Sequence, residues 1–276
     1  MRKFLLGSLA IALIAVFMTA CQKDNSIESA KTAEAVIATS EDVSDIESLT
    51  QNTEDEVDMD IENGPAGGPN GTCPTITFSA PRGTFPQTVT VDFGTSCTDR
   101  NGRIRRGKII FNFSDTISKL NATKTVTYEN YFVDSTKIEG VRIWKNTGLN
   151  SSGQPTFTRT ATNMKLTFGN GESATWSASH IVTRTPGFAT RTPVDDVWSV
   201  TGNCSGISRK GKSYSSVIET PIVHKAICPW IVSGKRNITV DGQTRSLDYS
   251  YGGGACDREA LLTKPDGSTK VILLRR

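Results

Sequence analysis

The sequence predicts an all-β protein: an antiparallel meander of about ten to twelve strands, forming a sandwich or a curved, partly closed sheet. Three observations lead to that class. Apolar residues recur with a period of two along most of the chain beyond residue 70. Turn dipeptides separate those runs, and no long stretch after residue 70 keeps the 3.6-residue apolar period of a helix. A parallel sheet needs covering helices, so strands joined by short turns with one wet face are the expectation.

The first element is an address. Arg2 and Lys3 form a basic head, Phe4 to Met18 an apolar run, and Thr19 and Ala20 precede Cys21. The run is short for a membrane helix, and no second segment is long and apolar enough to span a bilayer. Met18-Thr19-Ala20-Cys21 resembles a bacterial lipobox, with Met18 in place of the usual Leu. The resemblance implies a signal peptide over 1–20 and a lipid on the Cys21 thiol. Cys21-Gln22-Lys23-Asp24 is similar to the export tag of surface lipoproteins in Bacteroidota, although Asn25 breaks the acidic run. An outer-membrane, cell-surface location with an N-terminal lipid in the membrane is what these patterns imply.

Residues 21–70 read as an acidic, disordered tether. Between Gln22 and Gly64 there are 13 Asp and Glu against Lys23 and Lys31, a net charge of −11, and no aromatic residue. Such a composition buries too little apolar surface to offset its ordering entropy, and its like charges repel. A transient helix near Ala30 to Ala38 is compatible with it; a folded domain is not. Gly64-Pro65-Ala66-Gly67-Gly68-Pro69 closes the stretch.

Residues 71–276 then form the β domain. The whole chain carries +3 and residues 1–21 carry +2, which leaves +12 on residues 65–276. The strand signals follow in order: Val89, Val91 and Phe93; Val126, Tyr128 and Phe132; Met164, Leu166 and Phe168; Ala174, Trp176, Ala178 and Val182; Leu247, Tyr249 and Tyr251. Hairpin signals stand at Asn170-Gly171, Lys210-Gly211, Asp241-Gly242 and Pro265-Asp266-Gly267. Two clusters concentrate the basic charge and are the candidate contacts for a polyanion: Arg103, Arg105, Arg106 and Lys108, and Arg209, Lys210 and Lys212. Neither is interleaved with the aromatic residues that stack on bases, so nucleic acid is not expected. An anionic glycan, lipopolysaccharide or a surface protein is the candidate partner, and a solvated turn rich in Lys and Arg is the plainer alternative.

Five cysteines follow Cys21, and pairing is the default in an exported protein. Residues opposed across a hairpin share a midpoint at its turn. The pair Cys73 and Cys97 centres on Phe85, inside Arg82 to Gln87, and the pair Cys228 and Cys256 centres on Gly242. Those two disulfides are therefore predicted, and Cys204 is left over. It is either a small buried hydrophobe or a nucleophile needing His180 or His224 as a base.

Catalytic and metal signatures are sparse. The chain has two histidines, which argues against a histidine-rich metal site; no metal and no cofactor are expected. His180 shares the parity of Trp176 and Val182 and should face inward, and His224 should sit near a strand end. Asp195 and Asp196 would point to opposite faces of a strand and could not flank one glycosidic bond. No Gly-x-Ser-x-Gly elbow, phosphate loop or dinucleotide fingerprint occurs. Trp144, Trp176, Trp198 and Trp230 are more economically core residues than a sugar platform.

Cys97-Thr98-Asp99-Arg100-Asn101-Gly102-Arg103 with Arg106-Gly107-Lys108-Ile109-Ile110, Cys228-Pro229-Trp230-Ile231-Val232-Ser233-Gly234-Lys235, and Asp248-Tyr249-Ser250-Tyr251-Gly252 before Cys256-Asp257 carry a further resemblance. Together they look like a group of β-rich exported lipoproteins of Bacteroidota. The resemblance runs over most of residues 71–276 and implies fold and location, without an activity. That group's Asp-Tyr-Gly-Asp-Gly turn is Asp-Tyr-Ser-Tyr-Gly here, which removes a carboxylate from any ion-binding loop. The sequence thus predicts a non-enzymatic binding or structural module. Its alternatives are a carrier of a lipid or other apolar ligand in a curved cavity, and an enzyme using Cys204 or a carboxylate. A filled core, an open apolar concavity or a convergent polar cleft would distinguish the three.

Overall fold

A computed structural model describes residues 39–44, 46–47, 49–51, 53–54, 57–58, 73–99, 102–185 and 195–274. The β domain is one antiparallel sheet. Its first strands are β1 (Thr75–Phe78), β2 (Gln87–Asp92), β3 (Cys97–Thr98), β4 (Ile104–Phe113) and β5 (Thr123–Val133). The long central strands are β6 (Thr136–Leu149), β7 (Pro155–Thr167), β8 (Ser173–Arg184), β9 (Val197–Ile207) and β10 (Ser213–Lys225). The last are β11 (Ile231–Val240), β12 (Gln243–Asp248), β13 (Glu259–Thr263) and β14 (Thr269–Leu273). Each strand pairs with the next in sequence, except that β2 pairs with β4 and the short β3 lies beside β4 off the main path. Among the described residues, 14 strands exceed the expected ten to twelve, and they form one curved sheet that does not close into a barrel, not a sandwich.

The turn chemistry locates the hairpins. Asn170-Gly171 joins β7 to β8, Lys210-Gly211 joins β9 to β10, and Asp266-Gly267 joins β13 to β14. Asp241 and Gly242 take φ of 51° and 76°, the left-handed pair a two-residue hairpin loop requires between β11 and β12. Alternation then buries one face: Val89, Val91, Met164, Leu166, Ala174, Trp176, Val182, Leu247 and Tyr249 all lie in the core.

Three details depart from strict alternation. Phe132 was expected to share the parity of Val126, yet Tyr131 and Val133 are the buried residues at that end of β5. The register with β6 shifts between Thr127 and Phe132, where Asn130 adopts φ 45°. An extra residue in a bulge moves every later side chain to the other face. The same device at Asn163, φ 50°, hands the inward face of β7 from Phe157 and Ala161 to Met164 and Leu166. Tyr251 is exposed, because the chain leaves the ladder after Asp248 for a short 3-10 turn at Tyr251–Gly253.

The larger departure concerns the acidic tether. Every described residue between 39 and 58 is helical, and Val43, Ile46 and Val57 belong to the same core as the sheet's inward face. Val43, Ile46, Thr50, Thr53 and Val57, all buried, are spaced 3, 4, 3 and 4 residues apart, a helical stripe. Disorder was expected because the acids would repel; instead the sheet supplies a cation for several of them. Residues 30–38, where transient helix was anticipated, lie outside the described residues.

Candidate binding groove

The cations come from inward positions of four strands, three of them adjacent. Lys124 shares a face with Val126 on β5, Arg142 with Trp144 on β6, Arg159 with Phe157 and Ala161 on β7, and Arg236 with Ile238 on β11; all four are buried. Alternation alone puts them on the inner face of a curved sheet, where an ion costs several kcal/mol to desolvate unless it is paired.

The helical segment pairs them in order. Asp42 accepts from the Arg209 backbone N–H at 2.9 Å and from its guanidinium, at the β9–β10 turn. Glu47 accepts from Arg236 at 2.5 Å on β11. Gln51 accepts from Arg159 on β7 and, at 3.4 Å, from Arg142 on β6. Glu54 meets Arg142 at 2.7 Å and accepts from the Trp144 indole at 3.0 Å, both on β6. Asp58 meets Lys124 at 2.6 Å on β5. Thr39 donates to Ser208 at 3.1 Å, and Ser44 shares a 2.6 Å hydrogen bond with Tyr249. The segment therefore runs across the strands, from the β9–β11 side towards β5. An aromatic cluster floors its far half: Trp144, Phe157 and Trp198 have ring centroids 6.2–6.3 Å apart, with Arg159 5.3 Å from the Trp144 ring.

Electrostatics fix the protonation of this interior. Burial raises the Glu47 carboxyl, but Arg236, His180 and Arg159 outweigh it and lower its pKa to about 2. Burial, helped by Arg159 and Arg236, lowers His180 to about 3 against the pull of Glu47. His180 is thus neutral at pH 7. Arg159 donates to its Nδ1 at 3.2 Å, and arginine has no acceptor, so the imidazole proton sits on Nε2, 3.5 Å from Glu47 Oε1. Burial and then Arg159 lower His224 to about 4. The Cys204 thiol, 4% exposed, is pushed far up by burial and by the charge of Glu47. A protonated, enclosed thiol between two neutral imidazole-bearing strands is a packing residue and lacks the thiolate a nucleophile requires.

The concavity is filled. The space left between segment and sheet, lined by Glu47, Thr50, Arg142, Arg159, Trp176 and His180, is about 10 Å³, near the size of one water site. A larger cleft of about 710 Å³ opens at the β14 edge, between Glu41, Trp230, Arg258 and Lys270 to Leu274.

The predicted disulfides are both present, Cys73–Cys97 with Cα atoms 6.0 Å apart and Cys228–Cys256 at 5.7 Å. Neither bond joins ladder partners. In the β1–β2 register Thr75 opposes Asp92, so Cys73 and Cys97 are not ladder partners; the bond ties the lead-in of β1 to β3. Cys228 and Cys256 lie outside the β11–β12 ladder, which runs from Lys235–Asp248 to Val240–Gln243.

Most of the predicted polyanion contacts have acidic partners within the chain. Arg103 and Arg105 are buried and share Asp99, at 3.3 and 2.8 Å, and Arg105 also donates to Tyr131 at 2.9 Å. Lys108 meets Asp92 at 3.2 Å, while Lys210 meets Glu172 and Lys212 meets Asp241, each at 2.8 Å. Arg209 holds Asp42, and Arg106 lies 3.9 Å from the centre of the Phe132 ring. Asp196 is buried against Arg184 at 2.5 Å and Asp195 is exposed, the opposite directions expected of them. Trp144 and Trp176 are buried, and Trp198 and Trp230 pack against the core. Cys21 and the signal segment lie outside the described residues.

Sequence reasoning missed the groove itself: Asp42, Glu47, Gln51, Glu54 and Asp58 opposite Lys124, Arg142, Arg159 and Arg236. Two signals carried it. One was a cation at an inward position on each of four strands; the other was the 3-4-3-4 stripe in a stretch judged by its charge and composition. No protein-family model, no curated protein and no solved structure matches the chain.

Proposed function

We propose that this protein is a lipid-anchored lipoprotein of the outer membrane, exposed at the cell surface, that acts as a non-enzymatic binding module through the concave face of its sheet. The observation that carries the reading is the set of cations, Arg236, Arg159, Arg142 and Lys124, on one face of an open sheet, three of them met by carboxylates and Arg159 by the Gln51 amide oxygen. A hydrophobic core needs no such set, because a buried ion pair is no more stabilising than apolar residues of its volume. A surface that recognises an anion does need it. The lipobox-like Met18 to Cys21 supports the anchor, and two disulfides fit an extracytoplasmic setting. The protonated Cys204 and the neutral histidines support a role without chemistry.

Native mass spectrometry of the protein purified from its own envelope tests the reading, with an anionic glycan, lipopolysaccharide or an acidic polypeptide as the expected companion. A bound neutral lipid would favour the carrier reading instead. Bare protein in repeated preparations would count against both. For location, Cys21→Ala is expected to move the protein from the membrane to the soluble fraction. Retention of the variant in membranes would overturn the lipid anchor.

A further inference from the structure

We infer that the concave groove is a binding site for an acidic amphipathic helix of a partner polypeptide, and that segment 39–58 occupies it as an exchangeable internal stand-in. The inference rests on the binding-module reading of this face and names its ligand class. Three features of the groove select that class.

The first is the length of the charge row. The row runs from Asp42 to Asp58, 16 positions further along the chain. Cations from β5, β6, β7 and β11 and from the β9–β10 turn are distributed along it. A single phosphate or carboxylate headgroup would satisfy one rung and leave the others unpaired. The second is the apolar stripe. Val43, Ile46 and Val57 pack into the sheet's core beside the carboxylates, so the occupant presents charge and hydrocarbon on one narrow face. A linear acidic glycan offers the charge alone. The third is the nature of the contact. Desolvating the ions offsets much of their Coulomb attraction, so the charged rungs hold the segment no more firmly than apolar side chains of their volume would. The fit also leaves a loose end: among the described residues, Arg236 Nε is buried without a hydrogen-bond partner. A helix offering the same carboxylate spacing with better geometry displaces the segment, and the β14-edge cleft beside Glu41 gives it a place to enter.

Exchange is measured on the full chain. The probe is a fluorescein-labelled synthetic peptide with the sequence of residues 39–58, read by anisotropy. The peptide is expected to bind E47Q/E54Q protein at least ten times more tightly than wild type, because the internal segment loses two charged rungs and the peptide keeps them. A peptide of the same composition in scrambled order is expected not to bind. Heparin oligosaccharide and anionic phospholipid vesicles are expected to displace the labelled peptide far less well than unlabelled peptide does. Equal displacement by either would overturn the helix assignment and leave a generic polyanion site.

Should E47Q/E54Q fail to fold, a protease site inserted within residues 59–72 of the wild-type chain serves instead. After cleavage the labelled peptide should replace the resident segment, read as a rise in the anisotropy of its label. No exchange in a cleaved protein that still unfolds cooperatively would make the segment a permanent part of the core and overturn the proposal. An empty native mass spectrum would count against the binding-module reading and leave the exchange result standing, so the two failures are distinguishable.

Discussion

At the scale of single residues, the interior depends on a few ions whose partners lie far away in sequence. Arg236 and Glu47 are 189 positions apart, and Arg236 is 1% exposed. Removing one partner strands the other. Arg236→Met is expected to destabilise the fold by about 3–5 kcal/mol, whereas Arg236→Met with Glu47→Leu should recover most of the loss. Urea unfolding of the four proteins in the cycle checks this, and additive losses would mean that the pair does not interact. Acid should act through the same group. Glu47 has a pKa of about 2 against its ordinary 4.5, so its contribution is complete above 4.5 and disappears as pH falls towards 2. His180 adds the same sign: unfolding lets it take a proton near 6.5, which the folded protein refuses down to about 3. The urea midpoint is therefore expected to fall steadily from about pH 6.5 to pH 3; a flat profile there would contradict the buried Glu47–His180 contact. Cys204 should be inert to a thiol reagent in native protein at pH 8 and react fully in denaturant. Fast reaction of the native thiol would reopen the nucleophile reading.

At the scale of elements, bulges decide which side chains face the groove. Gly107 on β4 takes φ 80°, and a Cβ there would come within 2.1 Å of the Asn130 carbonyl oxygen. Its partner strand bulges at that point, which turns Tyr131 inward to meet Arg105. Gly107→Ala should cost more than the ~1 kcal/mol of an ordinary strand glycine and should perturb Tyr131 in an aromatic NMR spectrum. An unperturbed Tyr131 would detach the bulge from the Asp99–Arg105–Tyr131 cluster. The disulfides act at the same scale. Cys73–Cys97 closes 24 residues and Cys228–Cys256 closes 28, loops for which chain entropy predicts about 3 kcal/mol each. Cys228→Ala with Cys256→Ala is expected to lower unfolding free energy by that order and to leave the β6–β9 region protected from hydrogen exchange. Loss of protection throughout the sheet would show one cooperative unit from end to end.

At the scale of the whole molecule, the charge division is the organising fact. An acidic stretch of −11 precedes a basic body of +12, and the two meet inside the fold at the groove as well as at its surface. Of the two arrangements open to opposite charges on one chain, spacer or strap, residues 39–58 take the strap. The pairs most sensitive to salt should be the exposed ones, such as Lys210–Glu172, because screening over about 8 Å reaches surface ions far more than buried ones. Raising salt is accordingly expected to leave the segment protected in hydrogen exchange, and early loss of its protection with salt would place the segment outside the groove.

What the sequence determined by itself was local. The two-residue period, the left-handed Asp241-Gly242 turn and the cysteine spacing are each set within a few tens of residues, and the hairpins and both disulfides follow from them. Much of the inward face was legible too, up to the bulges at Asn130 and Asn163, whose extra residue leaves no mark in composition. Only the tertiary structure decided whether a stretch as acidic as residues 22–64 contains folded chain. Repulsion within the segment is visible in one dimension; the cations that cancel it come from β5, β6, β7 and β11, brought together by the curvature of the sheet. A helix this charged is stable only where those ions already wait, so its existence is a property of the folded sheet and not of the segment that forms it.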